Sequence, residues 1–412
     1  MSTTYTTQPP AVSDHPDGRD TNASAATSRY RILPQPLPVV PPTGLTVPEE
    51  YAPGSERAWQ NALTKVPAFV TAHPDAFPLY TTGGLWDLTG EAWTNWCEGF
   101  LGGQLWMLAA RSGRGDLRDL AEHYSRLIED RQYDRNVHDL GFLFWSTWRR
   151  WFEATGDPAY DAVVVQAGQT LALRFNEKGR YLRSFLAADS LFVDIMMNVG
   201  VIFHAAQRTG DPDLARIAIE HCLTSRRHLI RGDGSASHEA IFDLETGEFL
   251  RQTTQQGWRN DSSWARGLAW SLYGFTSMYA LTGNPHWLAT AELNADYWLE
   301  HTSGSDPVPP NDFDEPDPVR RWESSAAACA AGGLIMLSSL VADDDRAQRY
   351  HDHAEATIAR LCEPEFVAYE DDWEGVLKHG SYHETKQLGV DESVMWGEYF
   401  FVETLARVVQ AP

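Results

Sequence analysis

The stretch Thr209-Gly210-Asp211-Pro212 separates two runs of helical periodicity, and the same pattern recurs as Thr155-Gly156-Asp157-Pro158 and Thr282-Gly283-Asn284-Pro285. Glycine readily ends a helix in the left-handed conformation, and Asp or Asn caps the helix that follows. Proline suits the first helical position, where no backbone donor is needed. Three copies of this helix-stop and helix-start signal predict repeated αα-hairpins.

The helices on the two sides of these junctions differ in character. Those upstream are apolar nearly all round, which is typical of buried helices: 92–111, 138–155, 192–208, 261–281, 322–341 and 391–409. Those downstream have one charged face, as in an outer layer; examples are 157–175, 211–229, 284–300 and 343–362. The run at 55–71 supplies the missing outer partner. Six inner and six outer helices predict an all-α fold, an (α/α)6 toroid of six αα-hairpins.

The composition fits one large globular domain with an N-terminal extension. A chain of 412 residues, 43% hydrophobic and 22% charged, can bury a sizeable core. The first fifty residues contain 9 of the 23 prolines among many Ser and Thr, which predicts a flexible tail over 1–50. We therefore expect a single domain over 51–412.

The charge balance restricts the partners. Subtracting 57 acidic from 33 basic residues gives a net charge of −24. Such a chain repels nucleic acid and anionic membranes, so neither is expected as a partner. A small acidic substrate remains compatible, because a few local cations can reverse the field in one pocket. For the chain itself we expect a monomer or a weak homo-oligomer.

The cysteines and the N-terminus indicate a cytoplasmic protein. The four cysteines are far apart and form no Cys-x-x-Cys pair, so we expect reduced thiols. Residues 1–30 contain no apolar stretch like that of a signal peptide. The long uncharged run at 324–342 is rich in Ala, Gly and Ser, which favours a buried helix over a membrane span.

In such a toroid the N-termini of the inner helices gather on one rim, so the residues there form a candidate pocket. Asp139 and Asp194 both lie at this rim, where an Asp is more often a helix cap than a catalyst. Asp194 lies in the apolar segment SLFVDIMMNVGVIF, where desolvation raises the pKa of a carboxyl group. A carboxyl group kept neutral in this way can act as a general acid, although capping remains an alternative for both residues.

Other polar residues at this rim are less decisive. His238 lies in a long loop, where it could contact a substrate or simply complete a turn. Arg266, flanked by Trp264 and Trp270, suits a bound carboxylate but could equally pair with Asp261. No metal-binding or phosphate-binding motif is present. Several acids, an arginine and many tryptophans around one pocket favour carbohydrate chemistry.

These stretches resemble glycoside hydrolase family 88, the unsaturated glucuronyl hydrolases. The resemblance covers about residues 85 to 409, in matching order and spacing. It is carried by HDLGF (138–142), VDIMMN (193–198), DGSASH (233–238), QGW (256–258), DSSWARG (261–267), KHGSYH (378–383) and WGEYF (396–400).

The resemblance implies an enzyme that removes the non-reducing Δ4,5-unsaturated uronic acid from lyase-generated oligosaccharides. Such enzymes hydrate the C4=C5 double bond and need no metal or organic cofactor. By position, Asp194 matches the acid that protonates C4, and Asp139 matches the second essential carboxylate. The resemblance matches four residues to substrate-contacting positions: His238, Gln256, Trp264 and Arg266. It places Ser381 and His383 in the segment that recognises the uronate. We expect further substrate contacts from His138, Phe185 and Trp270. Arg266, Lys378 and the histidines are the candidate cations that offset the overall negative charge.

The chain departs from the family pattern at several aromatic positions. Leu101 and Phe185 stand where family members commonly have Trp, and Leu268 replaces a Gln. We expect an altered preference for the leaving sugar, because these changes leave both carboxylates in place.

Three alternatives remain open. The first is the related unsaturated rhamnogalacturonyl or galacturonyl hydrolase family, which shares the fold and the alkene hydration. The second is a sugar epimerase, which needs a pair of histidines facing the pocket, for which His204 and His383 are the candidates. The third is a non-catalytic carbohydrate-binding protein.

Overall fold

The computed structural model describes residues 52–89, 94–304, 306–316 and 322–408. The tail predicted over 1–50 lies outside these residues. Within them, helices form two concentric rings that confirm the predicted (α/α)6 toroid.

Six inner helical elements form the inner ring. They are α2 (Glu98–Ser112), α4 and α5 (Leu140–Ser146 and Trp148–Thr155), α7 (Gly200–Thr209), α9 (Ala265–Thr282), α11 (Ser324–Ser338) and α13 (Met395–Val408). Each packs against the next around the ring, and α13 packs against α2. The ring is therefore closed.

In the described ranges the outer ring also has six helices. They are α1 (Ala52–Ala72), α3 (Gly115–Leu127), α6 (Pro158–Ala172), α8 (Pro212–Leu229), α10 (Pro285–Thr302) and α12 (Asp344–Leu361). Most follow their inner partner directly, and α1 packs against α13 to complete the set. The core lies between and inside the rings, and its largest fully buried side chains include six tryptophans.

The three junctions have the predicted geometry. Gly156, Gly210 and Gly283 end their helices with φ of 72°, 72° and 64°. The side chains of Asp157, Asp211 and Asn284 each accept an N–H from the first turn of the next helix. The preceding threonine, whose role was not foreseen, accepts the N–H of this cap residue at 3.2 Å in all three copies.

The predicted inner helices begin too early, because segments of other structure precede them at the rim. Residues 193–197 form a short 3-10 helix before α7, and the third inner α-helix begins only at Gly200. The predicted helix at 138–155 is interrupted at Thr147, which has φ −114° and ψ −83°. Ser146 and Thr147 both bond back to carbonyls one turn earlier, a contact that bends helices.

Short strands extend the rim. The pairs β1–β2 (Thr81–Thr82 and Leu85–Trp86) and β3–β4 (Phe175–Asn176 and Tyr181–Leu182) are hairpins whose strands have two residues each. An antiparallel sheet joins β5 (Ser190–Phe192), β6 (Glu239–Phe242) and β7 (Phe249–Thr253), with Phe192 opposite Glu239. A last hairpin joins β8 (Gly380–His383) to β9 (Leu388–Glu392).

The four cysteines are buried and form no disulfide. Among the helices of the described ranges, none has the length and apolar character needed to cross a bilayer.

Candidate active site

A cavity of about 170 Å³ lies at the end of the toroid where the inner helices begin. The segments preceding α2, α4, α7, α9 and α13 supply its walls, as predicted for the rim. Its lining residues are Thr94, Trp96, His138, Asp139, Phe185, Leu186, Phe192, Asp194, Gln255, Gln256, Tyr382, His383 and Lys386. The cavity is small compared with the roughly 300–1,000 Å³ of typical ligand pockets, so it suits a single sugar ring.

Asp139 lies at the N-cap position of α4, but its side chain makes no capping hydrogen bond. Only 4% of the residue is exposed. Asp194 lies inside the 3-10 helix Val193–Met197, whose N-cap position is occupied by Phe192. The capping interpretation therefore fails for both carboxylates.

Asp194 has one oxygen that is buried without a partner. Its Oδ2 makes no hydrogen bond within the described residues, although the side chain is 16% exposed. The Nε2 atom of His238, 3.6 Å from this oxygen, is also buried and unpartnered. Buried polar atoms in this state are uncommon, and they are typical of sites that await a ligand or water.

Burial shifts both carboxyl groups toward neutrality. The apolar surroundings raise the pKa of Asp194 to about 7, and the charge of Arg266 opposes this shift. Burial, reinforced by the negative charge of Asp194, raises the pKa of Asp139 to about 8. Because each negative charge disfavours the other, the pair retains at least one proton near neutral pH.

Each carboxylate faces a neutral histidine. The Nδ1 atom of His138 accepts the N–H of Phe185 at 2.9 Å, and that of His238 accepts the N–H of Gln255 at 3.1 Å. Burial lowers the pKa of His238 to about 3 and that of His138 well below its usual value. Each neutral ring therefore carries its proton on Nε2. This atom lies 3.3 Å from Oδ1 of Asp139 in His138 and 3.6 Å from Oδ2 of Asp194 in His238.

A buried glutamate supports the second pair from behind. Glu239, 1% exposed, accepts hydrogen bonds from Ser190 at 2.5 Å and from the Gln255 side chain at 2.9 Å. The backbone N–H of Gln255 in turn fixes the tautomer of His238. The charge of Glu239 also acts to raise the pKa of Asp194.

Asn198 ties the two carboxylate segments together. Its Oδ1 accepts the N–H of Phe142 in α4 at 2.8 Å, and its Nδ2 donates to the carbonyl of Asp194 at 3.1 Å. Gly141 makes this approach feasible, since a Cβ there would lie 2.4 Å from the Cα of Asn198.

Of the predicted contact residues, the cavity walls include His138, Phe185, Gln256 and His383. His238 lies directly behind Asp194, and its ring lies 4.7 Å from that of Trp264, which is 1% exposed. Trp270 lies deeper, packed on Phe142 and Phe400, and does not line the cavity.

Arg266 is enclosed by the protein. Its guanidinium donates to the carbonyls of Ser381 and Tyr382 at 2.5 and 2.9 Å and to the Gln256 side chain at 2.8 Å. Its charge partner is Glu323 at 3.6 Å, and Asp261 pairs with Arg259 instead. Both Arg266 and Ser381 therefore lie behind the wall that Tyr382 and Gln256 present to the cavity.

The expectation that Lys378 supplies a local cation is wrong. Its ammonium group donates to Glu370 at 2.9 Å and to the carbonyl of Pro364, and Lys378 is not a lining residue. Lys386, from the turn between β8 and β9, lines the cavity instead. Sequence reasoning missed it because an exposed turn lysine has no local signal.

Sequence reasoning also missed Arg174 and several apolar walls. Arg174 donates to the carbonyls of Arg135, Arg183 and Ser184, and its charge acts on the pKa of Asp139. Phe192 and Tyr382 reach the cavity from short paired strands, and Leu186 reaches it from the loop between β4 and β5. Helical periodicity predicts neither.

The histidine pair required by the epimerase alternative does not converge on the cavity. His204 bonds to Asp161 in α6 at 2.6 Å and is absent from the cavity wall, whereas His383 lines it. Among the described ranges, no three His, Cys, Asp or Glu side chains are grouped to hold a metal ion.

Comparison with known proteins places the chain in a family. The family model of Glycosyl Hydrolase Family 88 matches residues 75–300. The chain belongs to this family. It is a glycoside hydrolase, and the family predicted from its motifs is confirmed.

Characterised relatives extend over most of the chain. It is 31% identical over 328 residues to the unsaturated glucuronyl hydrolase of Bacillus sp. strain GL1, covering 76% of this chain and 86% of that protein. It is 30% identical to the unsaturated chondroitin disaccharide hydrolase of Streptococcus pyogenes, covering 76% and 81%. The crystal structure of the Bacillus sp. GL1 enzyme superposes with a TM-score of 0.80, covering 87% of this chain and 98% of that one.

Proposed function

We propose that this family 88 hydrolase releases the non-reducing Δ4,5-unsaturated uronic acid from small oligosaccharides, by adding water across the C4=C5 bond. The observation that carries the proposal is the buried, partly unpartnered Asp194, whose pKa is raised to about 7, beside a second buried carboxyl group, Asp139, in a cavity of one-ring size. The relatives named for unsaturated glucuronyl and chondroitin substrates support the same substrate class.

The chemistry assigns one proton donor and one water. The Asp194 carboxyl group transfers its proton to C4 of the alkene, and positive charge develops at C5 and the ring oxygen. Water adds at C5 and passes a proton to the Asp194 carboxylate, which restores the acid. The resulting hemiketal opens to a C5 ketone, and C1, now a hemiacetal, releases the leaving sugar as an alcohol.

The surroundings of Asp194 suit both forms that these reaction steps require, the neutral acid and the carboxylate. A neutral acid at working pH needs the raised pKa that burial produces. Once the proton has gone, the Nε2–H of His238 and the charge of Arg266 stabilise the carboxylate. Asp139, held by His138, orients the ring and limits how readily Asp194 ionises.

The cavity also has groups that suit an anionic ring. Lys386 and the imidazole of His383 lie on one wall, and Phe185 and Phe192 supply apolar surface on another. A uronate carboxylate is therefore expected next to the hairpin β8–β9, with the alkene toward Asp194.

The test follows the ultraviolet absorbance of the conjugated alkene with lyase-generated glucuronyl and galacturonyl disaccharides. Asp194→Asn is expected to lower kcat by roughly 10²- to 10⁴-fold, as for loss of a general acid. Asp161→Asn is the matched control, because Asp161 pairs with His204 away from the cavity. Its activity should stay near that of the wild type.

Persistence of the absorbance with every substrate, in a folded protein, would contradict the proposal. Binding without turnover would favour a carbohydrate-binding role, and a product of unchanged mass would favour an epimerase. Turnover of galacturonyl substrates alone would favour the galacturonyl hydrolase alternative.

A further inference from the structure

Arg174 is a buried arginine whose guanidinium binds three backbone carbonyls. The residue follows α6 and is 5% exposed. Its Nε donates to the carbonyl of Arg183 at 2.9 Å, its Nη2 to that of Ser184 at 2.5 Å, and its Nη1 to that of Arg135. Within the described residues it forms no ion pair with a carboxylate. A buried guanidinium usually has such a partner, because removing an unpaired charge from water is costly.

The three carbonyls belong to the two segments that meet at His138. Arg135 lies in the segment that leads to His138. On the other side, Ser184 directly precedes Phe185. The N–H of Phe185 donates to Nδ1 of His138 at 2.9 Å, and the two rings lie 5.5 Å apart. Arg174 therefore fixes both sides of the contact that sets the tautomer of His138.

The Ser184 side of this contact is anchored in a strand. The N–H of Ser184 donates to the carbonyl of Ser190 in β5 at 2.7 Å, and the two hydroxyl groups are bonded at 2.8 Å. Ser190 also donates to Glu239 in β6, the neighbouring strand of the same sheet. Arg174 thus joins the segment before His138 to the sheet at the rim.

The charge of Arg174 acts on Asp139. Burial and the charge of Asp194 raise the pKa of Asp139, and the charges of Arg174 and Arg131 oppose this shift. Asp134 is the other carboxylate that acts on Arg174, and it is already paired with Arg131 at 3.1 Å. Burial moves the pKa values of the other titratable groups facing Asp139 away from neutrality, so these stay uncharged: His138, Cys97 and Tyr382.

We propose that Arg174 is a positioning residue of this site, which joins the two segments at His138 and supplies a positive charge behind Asp139. This charge favours the carboxylate form of Asp139, whose negative charge in turn disfavours ionisation of Asp194. Arg174 acts without contacting a bound sugar, since it does not line the cavity. Its effect on turnover rests on the proposed function, whereas its effect on Asp139 does not.

Two substitutions separate the charge of Arg174 from its hydrogen bonds. Arg174→Gln removes the charge and keeps a donor, whereas Arg174→Lys keeps the charge on a compact ammonium group that cannot span three carbonyls. The pKa of Asp139 is followed by ¹³C NMR of protein labelled in aspartate, with Asp139→Asn to identify the signal. We expect Arg174→Gln to raise this pKa by about one unit and Arg174→Lys to leave it within roughly half a unit.

Arg183→Met is the matched control for the titration. Arg183 is exposed, and its substitution removes one positive charge but leaves in place the carbonyl that Arg174 binds. Because solvent screens an exposed charge, the pKa of Asp139 should move by no more than about 0.3 units. A shift in Arg174→Gln no larger than that of the control would overturn the proposal.

Turnover of unsaturated disaccharides tests the hydrogen bonds. Both Arg174 variants are expected to lose about tenfold in kcat, with KM changed less than about threefold, because the catalytic groups are displaced. Arg183→Met should keep the wild-type kcat. An unchanged kcat in Arg174→Lys would overturn the positioning role, and this variant provides the test if Arg174→Gln does not fold. If the wild type hydrolyses no unsaturated substrate, the proposed function fails, and the titration of Asp139 alone decides the role of Arg174.

Discussion

At the scale of single residues, the charge of Glu239 near Asp194, the proposed acid, predicts a change in pH dependence. The charged groups that act on Asp194 are Glu239 and Asp139, which disfavour its ionisation, and Arg266, which favours it. Glu239→Gln removes a negative charge, so the pKa of Asp194 falls. In the proposed mechanism the neutral acid is the active form, so the loss of activity with rising pH begins at a lower pH in this variant.

We therefore expect Glu239→Gln to shift the basic limb of the kcat/KM profile toward acid, with a loss of a few-fold at pH 8. Ser190→Ala is the matched variant, since it removes a hydrogen bond to Glu239 but no charge. Its basic limb should stay in place. Identical limbs for the wild type and Glu239→Gln would show that Glu239 only supports the fold.

The same burial makes ionised Asp194 destabilising to the fold. Its pKa is about 7 in the folded protein and about 3.9 when unfolded, so its contribution is fully present below pH 4 and is lost as pH rises through 7. Asp194→Asn carries no such loss. We expect this substitution to change the free energy of unfolding more favourably at pH 8 than at pH 4, by at most about 4 kcal/mol.

Denaturant unfolding of the wild type and Asp194→Asn at both pH values measures this difference. A difference in unfolding free energy that does not change with pH would contradict the raised pKa.

At the scale of elements, Asn198 holds two helical segments in register. Asn198→Ala removes its bonds to Phe142 and to the Asp194 carbonyl, at a cost of about 1–3 kcal/mol for the buried groups left unpaired. We expect kcat to fall at least tenfold with KM nearly unchanged, because the acid moves relative to Asp139. Stopped assays at saturating substrate, with circular dichroism to confirm folding, check this.

Asp211→Ala is the comparison for that experiment. It removes a helix cap far from the rim and should cost about 1 kcal/mol of stability. If it lowers kcat as much as Asn198→Ala does, the loss reflects stability alone.

How much the sequence could predict also depends on the element. The αα-hairpins were predictable because Gly210, Asp211 and Pro212 act through neighbours in the chain. The rim was less predictable, because Phe192 and Glu239 meet only through strand pairing. Asp139, Asp194 and the two histidines were predicted from the motifs, but the pairing of His238 with Asp194 and the approach of the turn carrying Lys386 depend on tertiary contacts.

At the scale of the whole molecule, the net charge of −24 repels the anionic substrate that we propose. Repulsion from distant carboxylates is screened beyond about 10 Å at 0.1 M salt, whereas Lys386 at the cavity wall acts at shorter range. Raising the salt from 10 to 150 mM is therefore expected to raise kcat/KM about twofold, because salt screens the repulsion between protein and substrate. Salt has the opposite effect on oppositely charged partners, whose association it slows. Lys386→Ala should lower kcat/KM at every salt concentration while keeping the upward slope. A downward slope in the wild type that Lys386→Ala abolishes would mean that the local cation, and not the whole-molecule charge, controls the encounter.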